Sequence, residues 1–169
     1  PLCYAVYVGN IDVVRLLVEA GADVNAGGWN SLCGAVVENN TAIAEYLIDH
    51  GANVNHYVKG GWGPLHQTVQ VSNSVEMAKL LITKGADINS RVYPALICSI
   101  KADRRDLSEL LIQCGANVNI RGEWGSTPLS RAISMDDLHF MNILIANGVE
   151  VNTKDPGGET PLHFALAGD

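Results

Sequence analysis

The chain has 169 residues, of which 47% are apolar, enough for one compact domain or one short array of repeats with a buried core. Only 17% are charged, the formal net charge is −7 and no basic tract occurs, so binding to DNA or duplex RNA is not expected. No apolar run approaches the ~20 residues that span a bilayer, so no membrane insertion is expected, and no charged start leads into an apolar core of the secretory type.

The first segment opens with Pro1-Leu2-Cys3-Tyr4-Ala5. Proline suits the first turn of a helix, where a missing N–H costs nothing, and the apolar residues behind it predict a short helix. Gly9 and Asn10 mark a tight turn. Residues 11–20, IDVVRLLVEA, then repeat apolar side chains at helical spacing and predict a second, amphipathic helix. Gly21 stands where a helix end needs positive φ. The alternating Ala-Asp-Val-Asn behind it predicts an extended finger leading to the next unit.

The same order recurs along the chain. A second unit starts at SLCGA (31–35), turns at Asn39-Asn40, and continues through AIAEYLIDH (42–50) to GANVN (51–55). The third starts at PLHQT (64–68) and reaches GADIN (85–89); it is one residue longer, and the extra residue is placed in the turn around VSNSV (71–75). The fourth runs from ALICS (95–99) through Asp103-Arg104 to GANVN (115–119). The fifth runs from PLSRA (128–132) through Asp136-Asp137 and FMNILIAN (140–147) to GVEVN (148–152), and TPLHFA at 160 opens a sixth. The glycines that lead these words lie 30, 34, 30 and 33 residues apart. Fingers are uneven: 9 residues separate the last Asn from the next helix start at 55→64, 119→128 and 152→161, but only 6 at 25→31 and 89→95.

Helix, turn, helix and finger at a period near 33 residues resembles the ankyrin repeat, on the strength of TPLH (160–163), GPLH (63–66) and the five Gly-led words. The resemblance covers essentially the whole chain. It implies an all-α repeat solenoid of stacked helix-turn-helix units with β-hairpin fingers along one edge, in which no unit buries its own apolar face. Units fall at about 1–30, 31–62, 63–93, 94–126 and 127–159, with a partial sixth at 160–169. A solenoid needs polar caps, and neither end has one, so the single repeat domain is expected to be excised from a longer array or multidomain protein.

No catalytic, cofactor or metal signature stands out. The four cysteines form no C-x-x-C pair and read as small buried hydrophobes in reducing surroundings, so an intracellular, cytoplasmic location is expected. Cys3 and Cys33 share one position in successive units; stacked helices lie about 8–10 Å apart, too far for a disulfide. The five histidines show no metal-ligand spacing. His66 and His163 occupy the last position of the TPLH motif, where the resemblance implies that the imidazole bonds nearby backbone. Asp136 and Asp137 read as a solvated, N-capping turn, and Asn39-Asn40-Thr41 as a turn that happens to match a glycosylation sequon.

What remains is surface. Ankyrin arrays bind partners on a concave side made by the fingers and the first helix of each pair, so a protein partner is expected there. Trp29, Trp62 and Tyr93 fill one slot in three successive fingers, with Tyr57 and Trp124 also on fingers. Trp and Tyr often dominate binding energy. Lys59, Arg91, Lys101, Arg121, Arg131 and Lys154 outnumber Glu38, Glu123, Asp155 and Glu159 on that side, leaving it mildly basic on an acidic body and suited to an acidic partner. The expected partner-binding residues are thus Trp29, Tyr57, Lys59, Trp62, Arg91, Tyr93, Arg121, Trp124 and Arg131. The stretches NVNHYVKGGWGPLHQTVQ and VNIRGEWGSTPL are also similar to fingers in the ankyrin domain of ribonuclease L. That similarity implies an alternative, an oligoadenylate sensor in which Trp62 stacks a base and Lys59 or Arg91 meets phosphate. The shortened finger SRVYPA (90–95) departs from it. A further alternative is a regulatory ankyrin segment of a larger enzyme or channel.

Overall fold

A computed structural model describes residues 1–27, 30–58, 62–90, 93–122, 125–154 and 157–166, apart from the side chain of Phe164. Among these residues the regular structure is helical, and the helices come in pairs: α1 (Leu2–Val8) with α2 (Ile11–Glu19), and α3 (Ser31–Val37) with α4 (Thr41–Asp49). The third pair is α5 (Pro64–Gln67), prolonged by a π-helical turn at Thr68–Ser72, with α6 (Val75–Thr83). Beyond it lie α7 (Ala95–Lys101) with α8 (Arg105–Gln113), α9 (Pro128–Ser134) with α10 (Leu138–Ala146), and α11 (Pro161–Leu166). The chain divides into two compact units, Pro1–Asp87 with the first three pairs and Ile88–Asp169 with the rest.

Two kinds of helix end set this pattern, and both are written in the sequence. Between the helices of a pair, a residue one or two places after the first helix takes positive φ: Gly9 (78°), Asn39 (52°), Asn73 (47°), Asp103 (51°) and Asp136 (51°). Gly, Asn and Asp tolerate that conformation best. The next residue starts the second helix and caps it in four pairs of five. Asn10 accepts from the N–H of Asp12 and Val13, Asn40 from Ile43, Ser74 from Met77 and Asp137 from Phe140. In the fourth pair Arg104 holds this place, and its side chain makes no cap.

The second helix of each pair ends on a glycine with φ between 78° and 91°, at Gly21, Gly51, Gly85, Gly115 and Gly148. A Cβ there would meet nothing within 4 Å. Backbone conformation therefore selects glycine at these places, and packing does not. Each of these glycines donates its N–H three residues back, and the next residue donates five back: Gly51 to Ile48 and Ala52 to Leu47, for example. These paired bonds satisfy carbonyls that the helix end leaves open.

Side-chain hydrogen bonds account for the rest of the Gly-Ala-Asp/Asn-Val-Asn word. The third residue closes a turn on the fifth, as Asp23 does on Asn25 (2.8 Å), Asn53 on Asn55 and Asn117 on Asn119. The fifth residue, Asn, reaches across to the next repeat. Within the first unit, Asn25 donates to the carbonyl of Gly51 and accepts from the N–H of Asn53, both at 2.8 Å. Asn55 does the same with Gly85 (3.0 Å) and Asp87 (2.8 Å). Within the second unit, Asn89 serves Gly115 and Asn117, and Asn119 serves Gly148 and Glu150. One side chain thus fills a donor and an acceptor need of its neighbour's backbone.

The core of each unit lies between successive pairs. Leu32, Ile43, Leu47, Met77 and Leu81 are fully buried in the first unit, and Leu96, Ile100, Leu111, Phe140 and Leu144 essentially so in the second. Each unit is a stack: α1 packs on α3 and α3 on α5 in the first, α7 on α9 and α9 on α11 in the second.

Three expectations change. The extra residue of the third repeat is not in the turn: Asn73-Ser74 has the same geometry as the other turns, and the π-helical turn before it absorbs the residue, with Asn73 N–H bonded to Thr68 five residues back. A helix takes in one residue by widening, which preserves the turn that aims the next helix. Asp137 is not solvated; it is nearly buried and also accepts from Arg105 Nη2 at 3.1 Å. The cysteines are free but only Cys33 is buried, whereas Cys98 is half-buried and Cys3 and Cys114 are exposed. Cys114 comes directly after α8 at the place held by His50 and Lys84 in other repeats, on the solvent side, and the Cys3 thiol lies 3.5 Å from the Ser31 hydroxyl at the start of α3 while remaining exposed. Of the fingers, the second closes through Val58 N–H to Trp62 O (3.1 Å) and the fourth through Gly122 N–H to Ser126 O (2.8 Å); these are hairpin turns without a strand among the described residues.

The missing cap of α8 gives a direct test. Arg104→Asn, which supplies the acceptor present in the other pairs, is expected to raise stability by about 1 kcal/mol in urea unfolding. An unchanged or lower midpoint contradicts the role given to this position.

Candidate functional site

The finger of the second repeat carries the best-defined surface aromatics. Tyr57 and Trp62 stand on either side of its tip, 43% and 38% exposed, joined by the Val58–Trp62 backbone bond. Trp62 lies against the ring of His66, with centroids 4.9 Å apart and planes at 51°. His66 is buried in the first turn of α5, so the indole rests on a fixed support while remaining partly exposed. Tyr57 flanks the start of the same helix: a Cβ on Gly63 would sit 3.5 Å from Tyr57 Cε1. Each ring is thus partly exposed and packed against the start of α5, at low cost in side-chain entropy on binding.

The other expected site residues separate into two groups. Trp29, Lys59, Arg91 and Trp124 lie outside the described residues. Tyr93 is half-buried just before Pro94, and Arg131 is half-buried on α9. Arg121 is exposed, but its Nη1 and Nη2 both donate to the carbonyl of Lys154 at 3.1 Å. It ties the fourth finger to the fifth, a role that its position in the sequence does not disclose. Of the two cations expected to meet phosphate in an oligoadenylate site, neither falls in the described part.

Behind the aromatic finger, α3 and α5 pack a small polar layer. Asn30 caps α3 through Cys33 N–H, and the Gln67 side chain sits beside the Cys33 thiol. Burial pushes that thiol up to about 11, and the Gln67 contact offsets only part of this. A neutral, enclosed thiol is a poor nucleophile. The histidine of the sixth motif behaves as the resemblance implies: His163 Nδ1 accepts from the backbone N–H of Thr160 (3.2 Å) and lies 2.8 Å from its hydroxyl. In the third repeat Gly63 replaces that Thr and has no hydroxyl to offer. Among the described residues no group of three or more His, Cys, Asp or Glu side chains is placed to hold a metal ion, and no helix is long and apolar enough to cross a membrane.

A stack of helix pairs with projecting fingers and surface aromatics defines a repeat scaffold. Sequence models of ankyrin repeats match residues 1–58 (three copies), 60–92 (one repeat) and 111–165 (many copies). The chain belongs to the ankyrin-repeat family. It is 35% identical over 82 residues to human Ankyrin repeat and KH domain-containing protein 1, a match covering 46% of this chain and 3% of that protein. It is 31% identical over 135 residues to a putative ankyrin repeat protein of fowlpox virus, covering 76% of this chain and 32% of the viral one. A putative ankyrin repeat-containing protein of Treponema pallidum is 36% identical over 66 residues, 37% of this chain and 22% of its own length. The chain thus spans a minor part of these relatives. Ankyrin repeats are in general protein–protein interaction modules, typically without catalysis.

Thiol chemistry separates buried from open positions. In the folded protein at pH 8, an alkylating reagent is expected to label Cys3 and Cys114 and to spare Cys33 until the chain is unfolded, as read by mass spectrometry of the digested peptides. Labelling of Cys33 as fast as Cys114 contradicts the enclosed layer between α3 and α5.

Proposed function

We propose that this chain is a protein-interaction scaffold that grips its partner through the finger side of the array, with the second finger as anchor. The observation that carries the reading is the pair Tyr57 and Trp62, half-exposed and held by the finger's backbone bond and by His66. Aromatic side chains that are already fixed lose little entropy on binding and offer large contact area, which is why they recur as hot spots. Lys59, Arg91 and Lys101 belong to the same side by sequence, and the chain as a whole carries −7. A partner segment with acidic and apolar side chains fits that pattern best, with the charges speeding encounter and the rings holding the complex. The scaffold performs no chemistry of its own in this reading; its rings meet side chains of a protein partner.

A displayed library of proteins or peptides selected against the chain supplies partners for the test. For a selected partner, Trp62→Ala is expected to weaken binding about 30-fold, the loss of a hot-spot ring worth about 2 kcal/mol. Affinity is expected to fall further as salt rises. Selected partners that bind the Tyr57→Ala/Trp62→Ala double variant as tightly as the original chain overturn the proposal.

A further inference from the structure

The residue just ahead of each repeat's closing glycine varies: Ala20, His50, Lys84, Cys114 and Asn147. In the fifth repeat this slot makes Asn147-Gly148, the one Asn-Gly pair in the chain. Such a pair carries chemistry of its own, because glycine has no side chain to shield its backbone nitrogen. That nitrogen, giving its proton to solvent, bonds to Cγ of Asn147, and Nδ2 leaves as ammonia. Water then opens the resulting five-membered imide at either carbonyl. One opening gives an aspartate. The other gives an isoaspartate, in which the main chain runs through the former side chain.

Asn147 is exposed, so water reaches it, yet the end of α10 holds the reacting groups apart in three ways. The Gly148 N–H donates to the carbonyl of Ile145 at 3.1 Å, which ties up the nucleophile. The leaving group, Asn147 Nδ2, donates to the carbonyl of Ile143 at 2.8 Å, which turns the side chain back along the helix. Asn147 has ψ of 17°, so its own nitrogen nearly eclipses that of Gly148. Cβ, which carries the carboxamide, is therefore turned away from the nitrogen it must reach. Ring closure has to undo all three. The neighbouring repeat adds a clamp: Asn119 donates to the Gly148 carbonyl at 3.4 Å and accepts the Glu150 N–H at 2.7 Å. All of these residues belong to the second unit.

We infer that Asn147-Gly148 is a latent self-modification site, shut by the end of α10 and reached when that end unwinds. Its conversion loosens the fifth repeat from the asparagine of the fourth. Helix ends open at a lower free energy than whole domains do, so the route to the imide does not require global unfolding. Both products then work against reclosing. An aspartate loses the bond from Nδ2 to Ile143 and sets a negative charge against the last carbonyls of the helix, where the dipole disfavours it. An isoaspartate lengthens the main chain just ahead of Gly148. That shift displaces both the N–H that Ile145 accepts and the carbonyl that Asn119 grips. Loss of ammonia to solvent makes the change one-way.

Peptide mapping by mass spectrometry follows the conversion of Asn147 in the 169-residue chain at pH 8. Conversion in the folded chain is expected to be at least about tenfold slower than in the urea-unfolded chain, because it proceeds only from the opened fraction. Asn119→Ala removes the clamp and leaves Asn147 and Gly148 in place. It is expected to speed conversion in the folded state about fivefold, the worth of roughly one hydrogen bond. The unaltered chain gives a second measure that does not depend on how that variant folds. In urea below the unfolding midpoint, its conversion is expected to rise less steeply than global unfolding does, since only a short segment opens. Asn147→Asp, the simpler product, is expected to lower the melting temperature by about 2 °C. Four results overturn the proposal: equal rates in the folded and unfolded chains, a rate that Asn119→Ala leaves unchanged, a urea dependence equal to that of global unfolding, or an unchanged melting temperature for Asn147→Asp.

Discussion

Every described helix in this protein is too short to stand alone, and the burial of one pair against the next is what holds them. The longest described helices have nine residues, below the roughly 12–15 at which isolated helices become even marginal in water. Their apolar residues lie on the faces between pairs, so a pair by itself has few residues to enclose. Leu47, Leu81 and Leu144, at the same place in three repeats, each reach 0% exposure. Burying a leucine contributes about 1.5–3 kcal/mol, and that contribution exists only where a neighbour is present.

The finger asparagines fix how the pairs meet. Apolar contact alone lets helices slide, because it has no direction. Asn25 and Asn55 bond a carbonyl and an N–H that are two residues apart in the next repeat, which fixes position and orientation together. This constraint positions the fingers, and through them the rings of Tyr57 and Trp62. The scaffold and its candidate binding surface therefore depend on the same contacts.

The sequence made the repeats legible because their determinants are local. A glycine at φ near 90°, a proline in a first turn and an Asn or Asp at a tight turn act within a few residues, so their spacing can be read directly. What escaped depends on distant contacts. Whether Cys33 or Cys114 is buried depends on which face a neighbouring pair covers. Arg121 reads as an available cation until the carbonyl of Lys154, 33 residues away, is brought to it. The π-helical turn at Thr68–Ser72 was visible as one surplus residue, but its placement was decided by the need to keep Asn73-Ser74 in register with the other turns. The inter-repeat role of the last Asn in each word had a signal, its recurrence in all five copies, yet its two partners belong to the next repeat. Of the candidate site, the identity of the finger aromatics was legible; the support of Trp62 by His66 was not, since it requires the finger to fold back on α5.

The dependence of each pair on its neighbours is open to a direct measurement on a single interior pair. Residues 31–62, enclosed on both sides in the protein, are expected to show little helix by circular dichroism and no cooperative melting when made as an isolated peptide. A cooperative thermal transition from a helical state in that peptide would contradict the account, because it would mean that one pair carries its own core.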